Sequence, residues 1–260
     1  MTLSDKTAVV FGCNGQIAQA ICKKLSQEGY NLLVTDLKKH QAETAVSGMN
    51  TATALGVDVR SEHDITTAIQ TAIQKYNAID LVVNCSRIAV FKEVVELTEQ
   101  EWDTIVDFNT KSMYYIAKAA LKNMMEQNTG VIIGVTSKTA TSGPANLAAY
   151  SASMNASIGF LRSLSCEVRN NNIRVNALCP GFIEHEELAL GSELTGNEPP
   201  DPGIYIQFSP LINVANEPEA LANMVAFLAS KQGEFITGQV YSLWDDDMTY
   251  YRNLGQMAEF

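Results

Sequence analysis

The sequence predicts an α/β chain folded around a doubly wound parallel sheet with helices on both faces. Three observations predict it. Short β-branched runs alternate with helical patterns, a turn of small residues follows the first run, and an aspartate closes the second. Alternating strands and helices imply right-handed crossovers, and those place parallel strands side by side between two helical layers.

In order along the chain, "TAVVF" (7–11) reads as a strand and 16–28 as an amphipathic helix. "NLLVTD" (31–36) is a second strand, followed by a helix at 39–47. "ATALGVD" (52–58) precedes a helix at 62–75, and "IDLVVNC" (79–85) precedes a long helical pattern at 99–126. "GVIIGVTS" (130–137) leads into a helix at 150–169, and "IRVNALCPG" (173–181) into an irregular stretch that includes the helix-like "EELALGSEL". A helix at 218–230 and a strand, "GQVYSLW" (238–244), close the pattern. No linker, repeat or low-complexity tract interrupts the 260 residues, so one domain spanning 1–260 is expected.

Composition narrows the function classes. Hydrophobic residues make up 46% of the chain and charged residues 18%, enough apolar material for a packed core. The formal net charge is −11 without a local basic patch, which argues against nucleic acid and anionic membrane surfaces as partners. The five cysteines (Cys13, Cys22, Cys85, Cys166 and Cys179) have neither metal-knuckle nor CxxC spacing, as suits a reducing cytoplasm. The start "MTLSDKTAVVFG" carries no signal-peptide pattern, and no run reaches the ~18 apolar residues of a membrane span. A soluble, cytoplasmic protein is expected.

In a doubly wound sheet, ligands sit beyond the carboxyl ends of the strands. After the first strand comes "FGCNGQIAQAI", with Gly12, Gly15 and Ala18 spaced as GxxGxxA. Small residues there let backbone N–H groups and a helix N-terminus approach a pyrophosphate that a Cβ would block. Asp36 ends the second strand 18 residues beyond Ala18. A carboxylate in that place accepts hydrogen bonds from an adenosine ribose and repels a 2′-phosphate, which favours NAD over NADP. Together these read as a Rossmann-type dinucleotide site, the alternative being an ordinary strand-to-helix turn with Asp36 as a solvated strand end or helix cap.

The remaining motifs resemble those of the short-chain dehydrogenase/reductase family, and the resemblance spans nearly the whole chain. Val57 and Asp58 match the place where the family holds the adenine ring. "LVVNCSRIA" occupies the place of its Asn-Asn-Ala-Gly motif, "IVDFNTKSM" carries its helix asparagine at Asn109, and "IRVNALCPGFIE" is similar to its Pro-Gly segment. Ser137 stands thirteen residues before Tyr150, as the family's serine and tyrosine stand. The resemblance implies hydride transfer between NAD and a small carbonyl compound or alcohol. Tyr150 is then general acid or base, Ser137 orients the substrate oxygen, and Asn109 carries a water. Cofactor contacts are implied at Gly12, Gly15, Gln16, Ile17, Asp36, Asp58, Val59, Asn84 and Ile183, and no metal is implied.

The family's fourth catalytic residue, a lysine, maps onto Met154. A thioether carries no charge and cannot donate to ribose hydroxyls. Without a cation nearby, Tyr150 is expected to titrate near the free value of ~10, which makes phenolate scarce and favours reduction over oxidation. Lys138 is expected to leave on the face opposite Ser137, and Lys111 to face away from Asn109. Arg87, in place of a glycine, reads as either a binder of a substrate anion or a solvated side chain, with solvent the favoured reading. His185 stands where the family often has a threonine and reads equally as functional or as an exposed loop residue. Cys13 and Cys85 read as small buried residues. Asp245–Asp247 read as a solvated turn.

Residues 182–217 are expected to form a substrate lid, and 245–260 a tail that covers a neighbour or its own subunit. The resemblance implies a homo-oligomer, a tetramer or dimer. The methionine leaves two alternatives beside the oxidoreductase: a non-redox enzyme using Tyr150 and Ser137 for proton transfer, as in an isomerase or dehydratase, and a binding protein without catalysis.

Overall fold

Seven parallel strands form one sheet in the order β3-β2-β1-β4-β5-β6-β7. They are β1 (Thr7–Phe11), β2 (Asn31–Asp36), β3 (Ala52–Gly56), β4 (Leu81–Asn84), β5 (Gly130–Val135), β6 (Ile173–Cys179) and β7 (Val240–Ser242). The computed structural model describes residues 6–181, 185–198 and 217–242. Its principal helices are α1 (Gln16–Gln27), α2 (Lys39–Ala45), α3 (Glu62–Tyr76), α4 (Glu99–Val106) and α5 (Ser112–Gln127), then α6 (Thr139–Ser142), α7 (Ala148–Val168), α8 (His185–Thr195) and α9 (Glu217–Ala229).

Side chains of successive strand residues point to opposite faces, and both faces are covered. Val9, Phe11, Val82 and Ile132 meet the apolar sides of α3, α5 and α7 on one face. Ala8, Val10, Val83 and Ile133 meet Ile21 and Leu25 of α1 and Leu221 and Val225 of α9 on the other. Each such aliphatic side chain, taken fully out of water, contributes roughly 1.5–3 kcal/mol. Two-sided burial explains why the central strands read as unbroken apolar runs. Among the described residues no helix is long and apolar enough to cross a membrane.

The chain lays β2 and β3 on one side of β1 and then crosses to place β4 on the other. The two crossovers diverge beyond the carboxyl ends of β1 and β4, and the crevice between them is where such a sheet takes a ligand.

One expected element differs in kind. The pattern at 99–126 is a helix interrupted by a π-helical turn at Asp107–Lys111, between α4 and α5. The wide turn holds Asn109, whose Oδ1 accepts from Ile88 N at 2.8 Å and whose Nδ2 donates to Ile88 O and to Ser153 Oγ, each at 2.9 Å. Periodicity does not reveal such an insertion, because the apolar stripe resumes on the same face. The reading of 238–244 as a strand holds for Val240–Ser242, and its last two residues lie outside the described ones.

Candidate active site

The crevice begins at the turn after β1. Gly12 has φ +74°, and a Cβ there would stand 2.6 Å from Ser86 Cα, closer than any side chain tolerates. Only glycine allows the turn after β1 and the chain leaving β4 to approach this closely. Asp36 Oδ2 then accepts from Cys13 N at 2.9 Å and Asn14 N at 3.0 Å, fixing the turn to the end of β2. Burial pushes the Asp36 carboxyl upward, against backbone donors at Lys38, Asn14, Cys13 and Leu37.

Gly15 forms the N-cap of α1 without a side-chain cap, and it lines the crevice with Gly12, Asn14 and Ala18. Asp36 and Leu37 form one wall, Val57 and Val59 continue it, and Ser86 and Arg87 stand opposite, around ≈ 520 Å³ of open space. Gly12, Gly15, Asp36 and Val59 therefore lie together. Among the described residues, the other expected cofactor contacts adjoin, in sequence, residues that line the crevice. Gln16 is exposed, and Ile17 is buried in the core. The Asp58 carboxylate is clasped by Arg60, whose Nη2 lies 2.7 Å from Oδ2. Asn84 is buried and accepts from Ser86 N at 2.9 Å, bending the chain after β4. Ile183, the His185 side chain, Asp245–Asp247 and the tail 245–260 lie outside the described residues.

Arg87 and Glu187 line the crevice, and behind Glu187 lies Tyr150, near the start of α7 and fully buried. Its hydroxyl donates to Glu187 Oε2 at 3.0 Å, and the Ser137 side chain favours its ionised form. Glu187 sits on α8 and forms an ion pair with Arg87 Nε. The tyrosine is thus not unassisted. Burial first, and then the Glu187 charge, hold the phenol well above its ordinary range, while Arg87 and Ser137 oppose them. Tyr150 carries its proton at neutral pH, more firmly than the free value of ~10 implies.

Met154 lies one helical turn beyond Tyr150, buried with Ala89, Leu147, Tyr150 and Leu188 in a small apolar cluster. Three further expectations concern the cations. Arg87 does not reach solvent: it is 4% exposed, because Glu187 supplies a buried counter-charge. Lys138 does not follow an extended backbone. It has helical φ/ψ (−58°, −28°), caps α6 and is buried. Lys111 does face away, pairing with Asp107 at 3.1 Å.

Asn109 reaches both the chain after β4 and α7, through Ile88 and Ser153, so it ties those two segments together. Cys13 and Cys85 are buried, and burial pushes the Cys13 thiol far up, which makes it a poor nucleophile. Among the described residues no cluster of His, Cys, Asp and Glu is arranged to hold a metal.

In the sequence Glu187 stands out only as part of the expected lid, residues 182–217. A signal was nevertheless present. Arg87 beside a buried strand end requires a counter-charge, and Gly191, four residues past Glu187 on the same helical face, permits close packing. A Cβ on Gly191 would stand 2.1 Å from Ala89 O, so α8 rests directly on the chain after β4. Lys38 Nζ pairs with Glu193 at 2.7 Å, and Asn197 Nδ2 donates to Glu101 at 2.6 Å, pinning α8 and the residues after it across the crevice.

Comparison with known proteins agrees with this geometry. Residues 13–243 match the family model described as enoyl-(acyl carrier protein) reductase. A 3-oxoacyl-[acyl-carrier-protein] reductase of Chlamydia muridarum is 30% identical over 246 residues, covering 93% of this chain and 96% of the relative. A 2-(S)-hydroxypropyl-CoM dehydrogenase of Xanthobacter autotrophicus is 30% identical over 255 residues, covering 95% and 98%. The crystal structure of gox2181 superposes with a TM-score of 0.80 at 26% identity, covering 92% of this chain and 94% of that one. With the sheet order, the glycine turn and these whole-length similarities in agreement, the chain belongs to the short-chain dehydrogenase/reductase family of nicotinamide-dependent oxidoreductases.

Proposed function

We propose that the protein is an NAD(H)-dependent oxidoreductase acting on a small carbonyl compound or alcohol. The observation that carries this reading is the buried Tyr150 hydroxyl, bonded to Glu187, which itself lines the crevice that starts at the Gly12 turn. A nicotinamide dinucleotide fits the residues present. Gly12 leaves room that a Cβ would fill, the N-terminus of α1 is uncapped by side chains, and Asp36 edges the wall where a 2′-phosphate would meet a carboxylate. Bound there, the dinucleotide supplies or accepts the hydride.

The chain's own residues handle the proton. Tyr150 donates to the carbonyl oxygen in reduction, and Ser137 orients that oxygen. Met154 occupies the family's lysine position, so the phenol works without an ammonium beside it. Burial keeps it protonated, which suits the reductive direction. The relatives' names describe reduction of an oxo group and dehydrogenation of a hydroxyl, supporting a carbonyl or alcohol substrate. The acidic net charge of −11 opposes docking of an acidic carrier protein.

Exposed Trp102 on α4 and Tyr114 and Met125 on α5 support a homo-oligomer, dimer or tetramer, formed through these helices. Turnover of a panel of short aldehydes and ketones with NADH, followed at 340 nm, tests the reading. Wild-type protein is expected to consume NADH and Tyr150→Phe to lose at least about 10²-fold. Equal rates in the two would overturn it.

A further inference from the structure

The family arrangement leaves a gap in this chain, because nothing at Met154 can assist the tyrosine. The structure fills the position behind the phenol from another direction. Glu187 approaches on α8, its Oε2 3.0 Å from the Tyr150 hydroxyl and its Oε1 paired with Arg87. All three side chains are buried: Tyr150 fully, Arg87 to 4% exposure and Glu187 to 5%. A carboxylate is not taken this far from water unless it is both paired and hydrogen-bonded, and here one partner is a fixed cation and the other the reacting hydroxyl.

We propose that Glu187 is the proton acceptor and store behind Tyr150, held in its charged form by Arg87, so that Tyr150 relays a proton without ever accumulating as phenolate. This rests on the oxidoreductase reading above. In alcohol oxidation a nicotinamide held in the crevice would take the hydride from the carbinol carbon. The alcohol O–H bond breaks toward Tyr150 Oη as the Tyr150 O–H bond breaks toward Glu187 Oε2. The products are the carbonyl compound, neutral Tyr150 and a neutral Glu187 carboxyl, which then releases its proton to water. Reduction is the reverse and begins with Glu187 protonated.

The alternative, in which Tyr150 alone exchanges the proton, places a phenolate beside the Glu187 carboxylate in a buried site. Like charges at hydrogen-bond distance disfavour that state strongly. The groups acting on the Tyr150 hydroxyl come from three directions: Glu187 from α8, Arg87 from the chain after β4, and Ser137 from the chain after β5. Lys138 is buried next to Ser137 in sequence, and Asp36 lines the crevice; neither is among the groups acting on the phenol.

A shared proton predicts a pH dependence that belongs to a carboxyl rather than a phenol. Wild-type oxidation, as kcat/KM, is expected to rise with pH and level off by neutrality. In Glu187→Gln it is expected to fall ~10²–10⁴-fold at pH 7 and to climb without a plateau to about pH 10. A cofactor-free readout accompanies it: the phenolate difference absorbance near 295 nm, wild type minus Tyr150→Phe. Removing the Glu187 charge should bring the Tyr150 transition down by at least about one pH unit. Glu187→Asp, which keeps the charge, should retain the neutral plateau and serves where Glu187→Gln folds poorly.

An unchanged profile and an unchanged phenol transition in Glu187→Gln would overturn the relay. Loss of the plateau in Glu187→Asp but not in Glu187→Gln would also overturn it. If Tyr150→Phe turns over NADH like wild type, the oxidoreductase reading itself falls. If Tyr150→Phe is inactive while Glu187→Gln keeps the wild-type profile, only the relay falls.

Discussion

Replacing Arg87 with methionine removes the cation and keeps most of the side-chain volume. Glu187 then holds a carboxylate at 5% exposure without its guanidinium. Breaking a buried pair from one side costs about 3–5 kcal/mol, because the remaining charge is uncompensated. At roughly 2–4 °C per kcal/mol for a chain of this size, the melting temperature should fall by about 6–20 °C. Urea unfolding followed by circular dichroism should show a lower midpoint at an unchanged slope. The sign of the pH dependence is fixed: protonating Glu187 removes the charge that Arg87 had balanced, so the deficit should shrink as the solution is made acidic. The double variant Arg87→Met with Glu187→Leu removes both charges and should recover most of the loss, giving a coupling of at least about 2 kcal/mol. Additive effects, or an Arg87→Met variant within about 0.5 kcal/mol of wild type, would refute the buried pair and the closed placement of α8.

Gly12→Ala combines a left-handed backbone with a 2.6 Å approach to Ser86 Cα. The strain of about 1–2 kcal/mol and the overlap of about 1–3 kcal/mol should together lower the melting temperature by more than about 4 °C, measured by scanning calorimetry. Glu101 is held at a pKa of about 2: burial acts upward, but bonds from Lys92, Thr98 and Asn197 outweigh it. The folded value lies below the ordinary 4.5, so this stabilisation is present above pH 4.5 and lost as pH falls toward 2. Glu101→Gln should be about 1–3 kcal/mol less stable at pH 7 and indistinguishable from wild type near pH 2 in urea titrations. Met154→Lys places an ammonium one turn beyond Tyr150, in the cluster with Ala89 and Leu188. It should lower stability, tighten NADH and speed carbonyl reduction, and no change in either binding or rate would contradict the assigned role of position 154.

The strands were legible because each strand of a parallel, two-sided sheet must be apolar along its length, and "TAVVF", "LVVN" and "GVIIGV" are. The glycine turn was legible for a related reason. Its steric demand is local, so Gly12, Gly15 and Asp36 announce it by type and spacing. Glu187 was not legible as a site residue, since its role depends on α8 folding back over the chain after β4, a contact made across almost a hundred residues. Arg87 was misjudged for the same reason: its counter-charge lies far away in sequence. Gln16, Ile17 and Asp58 were expected by position alone, and the structure shows one exposed, one buried and one paired with Arg60. Asn109 falls between, expected at its place but engaged through Ile88 and Ser153 by a π turn that periodicity hides.

The central claim is that this crevice holds NAD(H) for chemistry at Tyr150. Isothermal titration of the wild-type protein with NADH and, separately, NADPH tests it most directly. The account predicts one site per chain and binding of NADH at least about tenfold tighter, a difference of ~1.4 kcal/mol set by the Asp36 carboxylate. Binding of neither dinucleotide, or tighter binding of NADPH, would contradict it.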